Sequence, residues 1–561
     1  MTHFHLLLLL QLLSFALGSD EACVRLRGIE KDGDGQTALN LEEIKVSMSV
    51  EIFDFSNPII PTLAGCSSGL ETPVSMRGLL GIDSSVWSVT SAFEPAPRLN
   101  IFGDKKTTEQ RRRCRPDDNA DDEEKLLFDL HYKVAEIYAV THTALKFMPW
   151  CRELLEPLMR TRGHPLSFLE EELDEGAEID TSTPWGLARA YADEGWSYLA
   201  ENDGWNADGS MGGREFNRVP FSGDFSMTDS EGNSWTPYTP QNSPYELTKK
   251  KKWQPLMESD GLGYISIQEH VTPHIGSTGR YFGFSSKEDE EAFASRKLKK
   301  PDYINRYGAA SRDVLAESAI TATDGRKQFA IAFFDNKFTS LVPLKIAYFL
   351  RDTTIAEYTN TDFYQITLEV QLAIYNSILL AWKEKVRQDR PRPPTMIKHK
   401  LGDELVEAYA GPGQGVQTMK ASEWQPFIRT MPHSEYPSAS ACLCTAFAAQ
   451  VENFLGTDVI EPALQFPPGP PPPGFEAPPL EFSSWSEMAQ VCSDSRTWGG
   501  MHFEASPGAV SAVVELCGGD DMAKSIHDSL ERLKAGDESA AIFKRDIGEL
   551  MVRPRETYRK L

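Results

Sequence analysis

The sequence predicts a mainly α protein in which a large helical domain follows a smaller β-rich N-terminal region. Apolar residues recur at three- and four-residue spacing in several long stretches after residue 121, as in helices that bury one face. Residues 22–107 instead favour strands and turns, with partial alternation of apolar and polar residues and frequent glycine and proline. We therefore divide the chain into a β-rich region over 19–115 and a helical domain over 116–561.

The chain begins with an apolar leader. Residues 1–18 contain a run of leucines and end in small residues, the pattern of a cleaved secretory signal peptide. The run is too short to span a bilayer comfortably, so we expect no stable membrane span. The eight cysteines fit an oxidising compartment, and Cys442 and Cys444, two apart on a predicted helix, should not pair with each other. We expect a secreted protein, or one of the secretory pathway.

The β-rich region after the leader contains two candidate strands. Residues 24–28 and 38–46 resemble, over a short length, a strand pair of discoidin-type β-sandwich modules. The region contributes none of the motif residues described below. We therefore expect residues 19–115 to be dispensable for the chemistry of the protein.

Helical periodicity dominates the second region. The predicted helices cover residues 126–147, 312–322, 330–350, 361–386 and 441–455, with shorter ones near 484 and over 508–516. Three prolines at 391, 393 and 394 end the helix over 361–386, and Gly456 ends the helix over 441–455. Residues 202–244 and the proline-rich residues 467–479 are predicted to be loops.

The charge of the chain limits its partners. The net charge is −25, which argues against nucleic acid and anionic membranes as partners.

On such an acidic chain, a site for an anion must be built by a local concentration of lysine and arginine, and residues 383–392 supply that concentration. Lys383 lies near the end of a predicted helix, and Arg390 precedes Pro391 and so favours extended backbone. Both cations can therefore converge at the helix exit, although a basic helix end also complements the helix dipole without any ligand.

Two further motifs supply other groups that a tetrahedral anion needs. Ser438 is the predicted N-cap of a helix, and Ala439 and Ser440 bring free backbone N–H groups, an arrangement that binds anions well. A simple serine cap without a ligand is the alternative. Arg496 and His502 are six residues apart, and two glycines between them allow a tight loop that turns both side chains inward. Together the three motifs predict a pocket for a phosphate-shaped oxyanion.

These motifs resemble those of the vanadium haloperoxidases and of the related type-2 phosphatidic acid phosphatases and bacterial acid phosphatases. The shared pattern is Lys-x6-Arg-Pro, then Pro-Ser-Gly-His, then Ser-Arg-x5-His, and the resemblance covers the chain from about residue 121. It implies a helical-bundle domain, vanadate as cofactor, hydrogen peroxide and a halide as substrates, and hypohalous acid as product. A small organic acceptor and an oligomeric state are compatible with it.

The resemblance also implies roles for individual residues. His502 would be the metal ligand, bonded to vanadate through one ring nitrogen. The other cofactor-binding residues would be Lys383, Arg390, Ser438, Ala439 and Arg496. Lys383 would also polarise the bound peroxide so that a halide attacks it.

Two positions depart from the family pattern. Ala439 replaces the glycine of the second motif, and Ser440 replaces the histidine that relatives use as acid and base. Since a serine does not titrate near neutral pH, His433 or Glu435 just upstream would have to substitute. Phosphatase relatives also carry an aspartate where this chain has Ser506. The departures favour a haloperoxidase over a phosphomonoesterase, because the alkoxide leaving group of a phosphomonoester needs a proton. A third hypothesis is an inactive relative that keeps an oxyanion pocket.

Overall fold

A computed structural model describes residues 59–544, apart from residues 68–69, 94–97, 106–118, 120–121, 162–178, 182, 203–226, 229–233, 236–237, 260–261, 274, 350–359, 469–476 and 504–510. The predicted leader, the discoidin-like strand pair and Ser506 lie outside the described residues. Within them the protein is mainly α, as predicted from the spacing of apolar residues.

The described helices are accompanied by four antiparallel pairs of short strands. The described α-helices are α1 (Ile59–Cys66), α2 (Thr72–Phe93), α3 (Asp122–Phe147), α4 (Arg152–Thr161), α5 (Pro184–Asn202), α6 (Ile275–Thr278), α7 (Lys287–Ala294), α8 (Tyr307–Thr321), α9 (Gly325–Phe333), α10 (Lys337–Phe349), α11 (Asn360–Gln388), α12 (Pro393–Leu401), α13 (Ala439–Leu455), α14 (Trp485–Trp498), α15 (Val513–Cys517) and α16 (Asp520–Lys534). The strands are β1 (Met227–Thr228), β2 (Ser234–Trp235), β3 (Met257–Ser259), β4 (Ile265–Ile267), β5 (Leu405–Tyr409), β6 (Val416–Lys420), β7 (Val459–Phe466) and β8 (Leu480–Ser484). Each strand pairs antiparallel with its neighbour in sequence.

The long helix α11 forms the centre of the bundle. It packs against α2 on one side, against α13 and α16 on another, and against α6 near its C-terminal end. Its residues are buried on every face from Phe363 to Trp382. The helix ends at Gln388, and Pro393 begins α12, because a proline is tolerated in a first helical turn but not in a helix interior. The exit of α11 therefore lies inside the protein, where the first motif is found.

The prediction of a β-rich region over 19–115 is wrong for the part that the structure describes. Residues 59–66 and 72–93 form α1 and α2, and α2 is buried along nearly its whole length. Ser85 donates its hydroxyl to the carbonyl of Gly81 and Ser88 to that of Ser84, each one turn back, which permits polar residues in the core, while the buried Ser84 hydroxyl has no partner among the described residues. Pro73 and the glycines of this stretch, which favour turns, lie within α2. Because α2 packs on α11, this region is part of the helical domain.

The predicted helices over 126–147, 361–386 and 441–455 are confirmed as α3, α11 and α13, with small differences at the ends. The prediction of one helix over 330–350 is wrong, since α9 ends at Phe333 and α10 begins at Lys337. The break between them carries Asp335, and it borders the site described below. Gly456 ends α13 in a left-handed conformation, as expected of a glycine C-cap.

Disulfides tie the segments that carry the motifs to one another. Cys444 of α13 pairs with Cys492 of α14, and Cys442 of α13 pairs with Cys517 at the end of α15. The two cysteines on α13 do not pair with each other, as predicted. A third disulfide joins Cys66 and Cys151. No helix among the described residues is long and apolar enough to cross a bilayer.

Candidate oxyanion site

The loop before α13 is the framework of the site. It runs from His433 to Ser438, and every one of these residues is buried. Ser438 caps α13, because its Oγ accepts the N–H of Ala441 at 3.3 Å. The Ser438 hydroxyl hydrogen has no acceptor among the described residues, and the N–H groups of Ala439 and Ser440 belong to the first turn, which lacks partners within a helix. Unused donors therefore converge at the start of α13.

Lys385, on the last turns of α11, holds this loop in place. Its Nζ donates to the carbonyl oxygens of Ser434, Glu435 and Pro437 at 2.8, 3.2 and 2.5 Å. The side chain is fully buried, and burial together with the nearby charge of Arg392 lowers its pKa well below the usual range of a lysine. Lys385 therefore fixes the geometry of the helix start and adds positive potential behind it.

Arg392 links the loop to the third motif. Its Nε donates to the His433 carbonyl oxygen and one Nη1 hydrogen to the Met501 carbonyl oxygen, both at 3.0 Å. Nη1 also lies 3.3 Å from Nε2 of His502, and Nη2 lies 3.0 Å from Nδ1 of His433. A guanidinium can only donate, so it faces the unprotonated nitrogen of His502. Burial lowers the pKa of Arg392 to about 10, so it remains charged at neutral pH.

A glycine turn brings His502 back toward Arg496. At the end of α14, the N–H of Gly500 donates to the carbonyl of Thr497 and the N–H of Met501 to that of Arg496, the two bonds of a Schellman motif. Gly500 has φ +76°, and a Cβ there would lie 2.6 Å from the ring of Trp424. Both the conformation and the close approach thus require glycine at position 500.

Glu435 fixes the tautomer of His502. Nδ1 of His502 lies 3.0 Å from Oε1 of Glu435, which also accepts the N–H of Phe503 at 3.2 Å. With its proton on Nδ1, His502 presents the lone pair of Nε2 toward Arg392. Burial and the surrounding cations hold the pKa of His502 well below its usual range, so the ring is neutral. A neutral imidazole with a free Nε2 is the form that can bond to a metal centre or an electrophilic oxyanion.

Glu435 itself is completely buried. Its Oε2 accepts a hydrogen bond from the hydroxyl of Tyr303, which packs against Phe503. Burial raises the pKa of Glu435 to about 7, and the Tyr303 hydrogen bond and the charges of Arg392 and Lys385 oppose that rise. The loop before α13 and the turn after α14 are joined through this carboxylate.

Arg496 supplies a further buried cation. Its Nε donates to Ser495 Oγ and its Nη2 to the carbonyl of Ile331, both at 3.2 Å. Nη1 is buried with no hydrogen-bond partner, and the nearest carboxylate oxygen, on Asp335, is 3.6 Å away. An unpartnered donor of this kind is costly, so it points to a ligand that accepts its hydrogen bond.

His433 and Ser440 lie on either side of Ser438 in the sequence. His433 is buried against Trp382, with ring centroids 4.9 Å apart, and its Nδ1 faces Arg392. Nδ1 also lies 3.2 Å from the carbonyl oxygen of Ser434. Burial and the charges of Lys385 and Arg392 lower the pKa of His433 well below its usual range. Ser440 is half-buried in the first turn of α13.

The structure does not bring Lys383 and Arg390 to His502, and the assignment of the first motif to these two residues needs correction. Lys383 donates to the carbonyl of Ala294 at 2.7 Å, and Nη1 of Arg390 donates to that of Lys251 at 3.3 Å. Lys383 and Lys385 lie two residues apart on α11, so their side chains point about 200° apart around the helix axis. Lys385 and Arg392 occupy the positions beside His433 and His502 instead.

The sequence contains the signal for the correct pair. Lys-x6-Arg-Pro occurs twice in this chain, as Lys383, Arg390 and Pro391 and as Lys385, Arg392 and Pro393. Sequence reasoning also missed the role of Glu435 as the acceptor for His502, because a residue 67 positions upstream reveals no contact until the chain is folded. The predicted residues Ser438, Ala439, Arg496 and His502 all lie around the start of α13 and the turn after α14.

The chain is similar to known proteins both over part of its helical bundle and over most of its length. Residues 365–532 match the family model described as the VCPO second helical-bundle domain. Two structures of a bacterial vanadium-dependent chloroperoxidase, apo and holo, have TM-scores of 0.64 and 0.63 at 19% identity. They cover 83% and 84% of this chain and 95% and 94% of their own. No curated protein matches the chain.

A third structure, of a bacterial vanadium-dependent iodoperoxidase, has a TM-score of 0.50 at 15% identity and covers 87% of this chain and 96% of its own. At such identities the likeness concerns the fold. The matched family segment contains the exit of α11, the whole of α13 and α14, and therefore Lys385, Arg392, Glu435, Arg496 and His502.

Proposed function

Because the chain has the fold of the vanadium haloperoxidase superfamily, we propose that it is a vanadate-dependent haloperoxidase, which oxidises a halide with hydrogen peroxide to hypohalous acid. The observation that carries the proposal is the neutral His502, whose Nδ1 faces Glu435 and whose Nε2 faces the guanidinium of Arg392. The hydrogen bonds of Lys385 and Arg392 to the loop before α13 and to Met501 support the proposal that the three motifs form one site.

The residues present fit vanadate. Nε2 of His502 is the nitrogen available for the bond to vanadium, and Arg496 Nη1 is a buried donor without a partner. The Ser438 hydroxyl and the N–H groups of Ala439 and Ser440 add donors for a tetrahedral oxyanion. Arg392 contributes charge beside the histidine. Vanadate in this site would act as a Lewis acid toward hydrogen peroxide and keep its oxidation state.

The protein's own groups set up the reaction in two ways. Glu435 accepts the Nδ1 proton of His502 and so keeps Nε2 free for bonding. Lys385 fixes the carbonyls before α13 and, with Arg392, maintains a positive potential that favours bound oxyanion and incoming halide. Because these side chains are buried, their interactions with a bound anion are weakly screened by water.

Proton transfer requires a group other than Ser440. We assign it to His433, a buried imidazole five residues before Ser438, whose Nδ1 lies 3.0 Å from Nη2 of Arg392. His433→Gln retains an acceptor for Arg392 and removes the imidazole. Halide turnover should then fall about 10²–10⁴-fold, the usual loss on removing a general acid or base, while vanadate affinity changes little. A variant with parental turnover and vanadate bound would exclude His433 from this role.

A halide-oxidation assay tests the activity directly. We expect bromide or iodide to be oxidised by hydrogen peroxide only after vanadate is added, and His502→Ala to abolish both vanadate retention and turnover. Hydrolysis of a phosphate monoester without halide oxidation would make the protein a phosphatase. Vanadate binding with neither activity would identify an inactive relative that keeps the oxyanion pocket.

We further propose that the protein is secreted. The apolar leader over 1–18 supports this, and so do the three disulfides among the described cysteines, since such bonds persist in oxidising compartments. Recovery of the mature protein from the medium, with its N-terminus after residue 18, would test the proposal. Retention inside the cell with residues 1–18 attached would contradict it.

A further inference from the structure

Replacement of the family histidine by Ser440 leaves one side of the oxyanion site without a cationic or titratable side chain of its own. Ser440 lies next to α14, since its carbonyl oxygen is 3.7 Å from Sγ of Cys492. Arg496 follows Cys492 by one helical turn and so lies on the same face of α14. Any group that makes up for the missing imidazole should therefore lie close to Arg496.

The break between α9 and α10 surrounds the guanidinium of Arg496. The carbonyl of Ile331 accepts Nη2 at 3.2 Å, and a carboxylate oxygen of Asp335 is 3.6 Å from Nη1. Lys337 begins α10 two residues after Asp335. Its electrostatic partners are Arg496 and Asp335. Residues 331–337 thus form one wall beside the third motif.

Lys337 differs from Lys345, the other buried lysine of α10, because no carboxylate lies in hydrogen-bond contact or ion-pair contact with it. Its side chain is 3% exposed, and Nζ donates to the carbonyl of Phe334. Among the described residues no second acceptor is present. Burial and the charge of Arg496 lower the pKa of this lysine well below its usual range. An amino group buried with a single partner reduces stability, which points to a ligand that accepts a further hydrogen bond from it.

We propose that Lys337 is an additional binding residue of the oxyanion site, which donates from the Arg496 side to an oxygen of a tetrahedral anion such as vanadate or phosphate. The inference rests on the proposed function, because it assumes that the anion lies at Arg496 and His502. Nη1 of Arg496 and Nζ of Lys337, which keeps a hydrogen without an acceptor among the described residues, are buried donors that a single oxyanion satisfies together.

The experiment measures affinity for inorganic phosphate and for vanadate by titration calorimetry, and Tm without any anion, on the full chain. Lys337→Met should lower both affinities about tenfold to hundredfold, the loss expected for one hydrogen bond to a charged group. It should also raise Tm in anion-free buffer, since a buried amino group with a single hydrogen-bond partner is replaced by an apolar side chain of similar length. Lys337→Gln, which can still donate to the Phe334 carbonyl, should show the same loss of affinity.

Lys345 provides a matched control on the same helix. It is also buried, at 4% exposure, but Asp83 lies 3.5 Å from its Nζ. Lys345→Met leaves that carboxylate without its partner, so Tm should fall while anion affinity stays at the parental value. The two Lys→Met variants are thus expected to change Tm in opposite directions, and only the Lys337 variant is expected to lose anion affinity.

The outcomes separate this inference from the proposed function. If the parent protein binds both anions and Lys337→Met and Lys337→Gln bind them equally well, the assignment of Lys337 is overturned and the proposed function stands. If the parent binds neither vanadate nor phosphate, both are overturned. Loss of affinity in both Lys337 variants, with Lys345→Met unaffected, supports the inference.

Discussion

Replacing Lys385 or Arg392 by alanine should lower the affinity for vanadate by about 2–5 kcal/mol, the usual cost of truncating one partner of a buried, hydrogen-bonded charged group. Without Lys385, three carbonyls before α13 lose their donor and the helix start loses its fixed geometry. Without Arg392, the free nitrogen of His502 loses the guanidinium that faces it. Titration calorimetry with vanadate measures the change in affinity, and the halide-oxidising activity should fall with it.

Lys383→Ala and Arg390→Ala are the matched controls, because the same seven-residue spacing places these cations elsewhere. Their side chains donate to the carbonyls of Ala294 and Lys251, so their loss should reduce stability. Vanadate affinity should change by less than about 0.5 kcal/mol, as for substitutions away from a site. A large loss of affinity in Lys383→Ala together with parental affinity in Lys385→Ala would show that the site uses Lys383 and not Lys385.

A chain that begins at Asp117 should fail to fold cooperatively. The absence of motif residues before that point predicts instead that this region is dispensable. It lacks α2, whose buried side chains pack against α3, α5 and α11. Loss of α2 would expose the apolar face of α11 to water, and Glu71, which interacts electrostatically with Arg392, would be lost as well. Circular dichroism and thermal unfolding would detect the change. A cooperative transition near the parental Tm would contradict this prediction.

Two glycines provide a finer test of the same packing. A Cβ at Gly78 of α2 would lie 2.3 Å from the ring of Phe147, whereas a Cβ at Gly65 of α1 has nothing within 4 Å. Gly78→Ala should therefore cost about 1–3 kcal/mol of unfolding free energy through overpacking. Gly65→Ala should be neutral or stabilising by up to about 1 kcal/mol, since alanine is the better helix former. Equal effects at the two positions would mean that α2 does not pack tightly on α3.

The break at Asp335 and Asn336 shows where local sequence is a poor guide. Apolar spacing over 330–350 is continuous, so it predicts one helix. The chain instead turns between α9 and α10, where Arg496 binds the carbonyl of Ile331. A contact with a residue 165 positions away in the sequence decides the local structure, and periodicity does not contain such information.

The sequence by itself determined the mainly α class and the long helix with its proline stop, and it singled out Ser438, Arg496 and His502 as candidate site residues. Apolar spacing, proline and glycine act locally, which is why they are legible without a fold. Tertiary structure alone decided which of two Lys-x6-Arg-Pro pairs lies beside His502. Since α11 is buried on all sides, it has no polar face from which the direction of Lys383 or Lys385 follows. Tertiary structure likewise supplied Glu435 as the hydrogen-bond partner of His502 and placed Lys337 near Arg496, because neighbours in space leave no periodic trace in the chain.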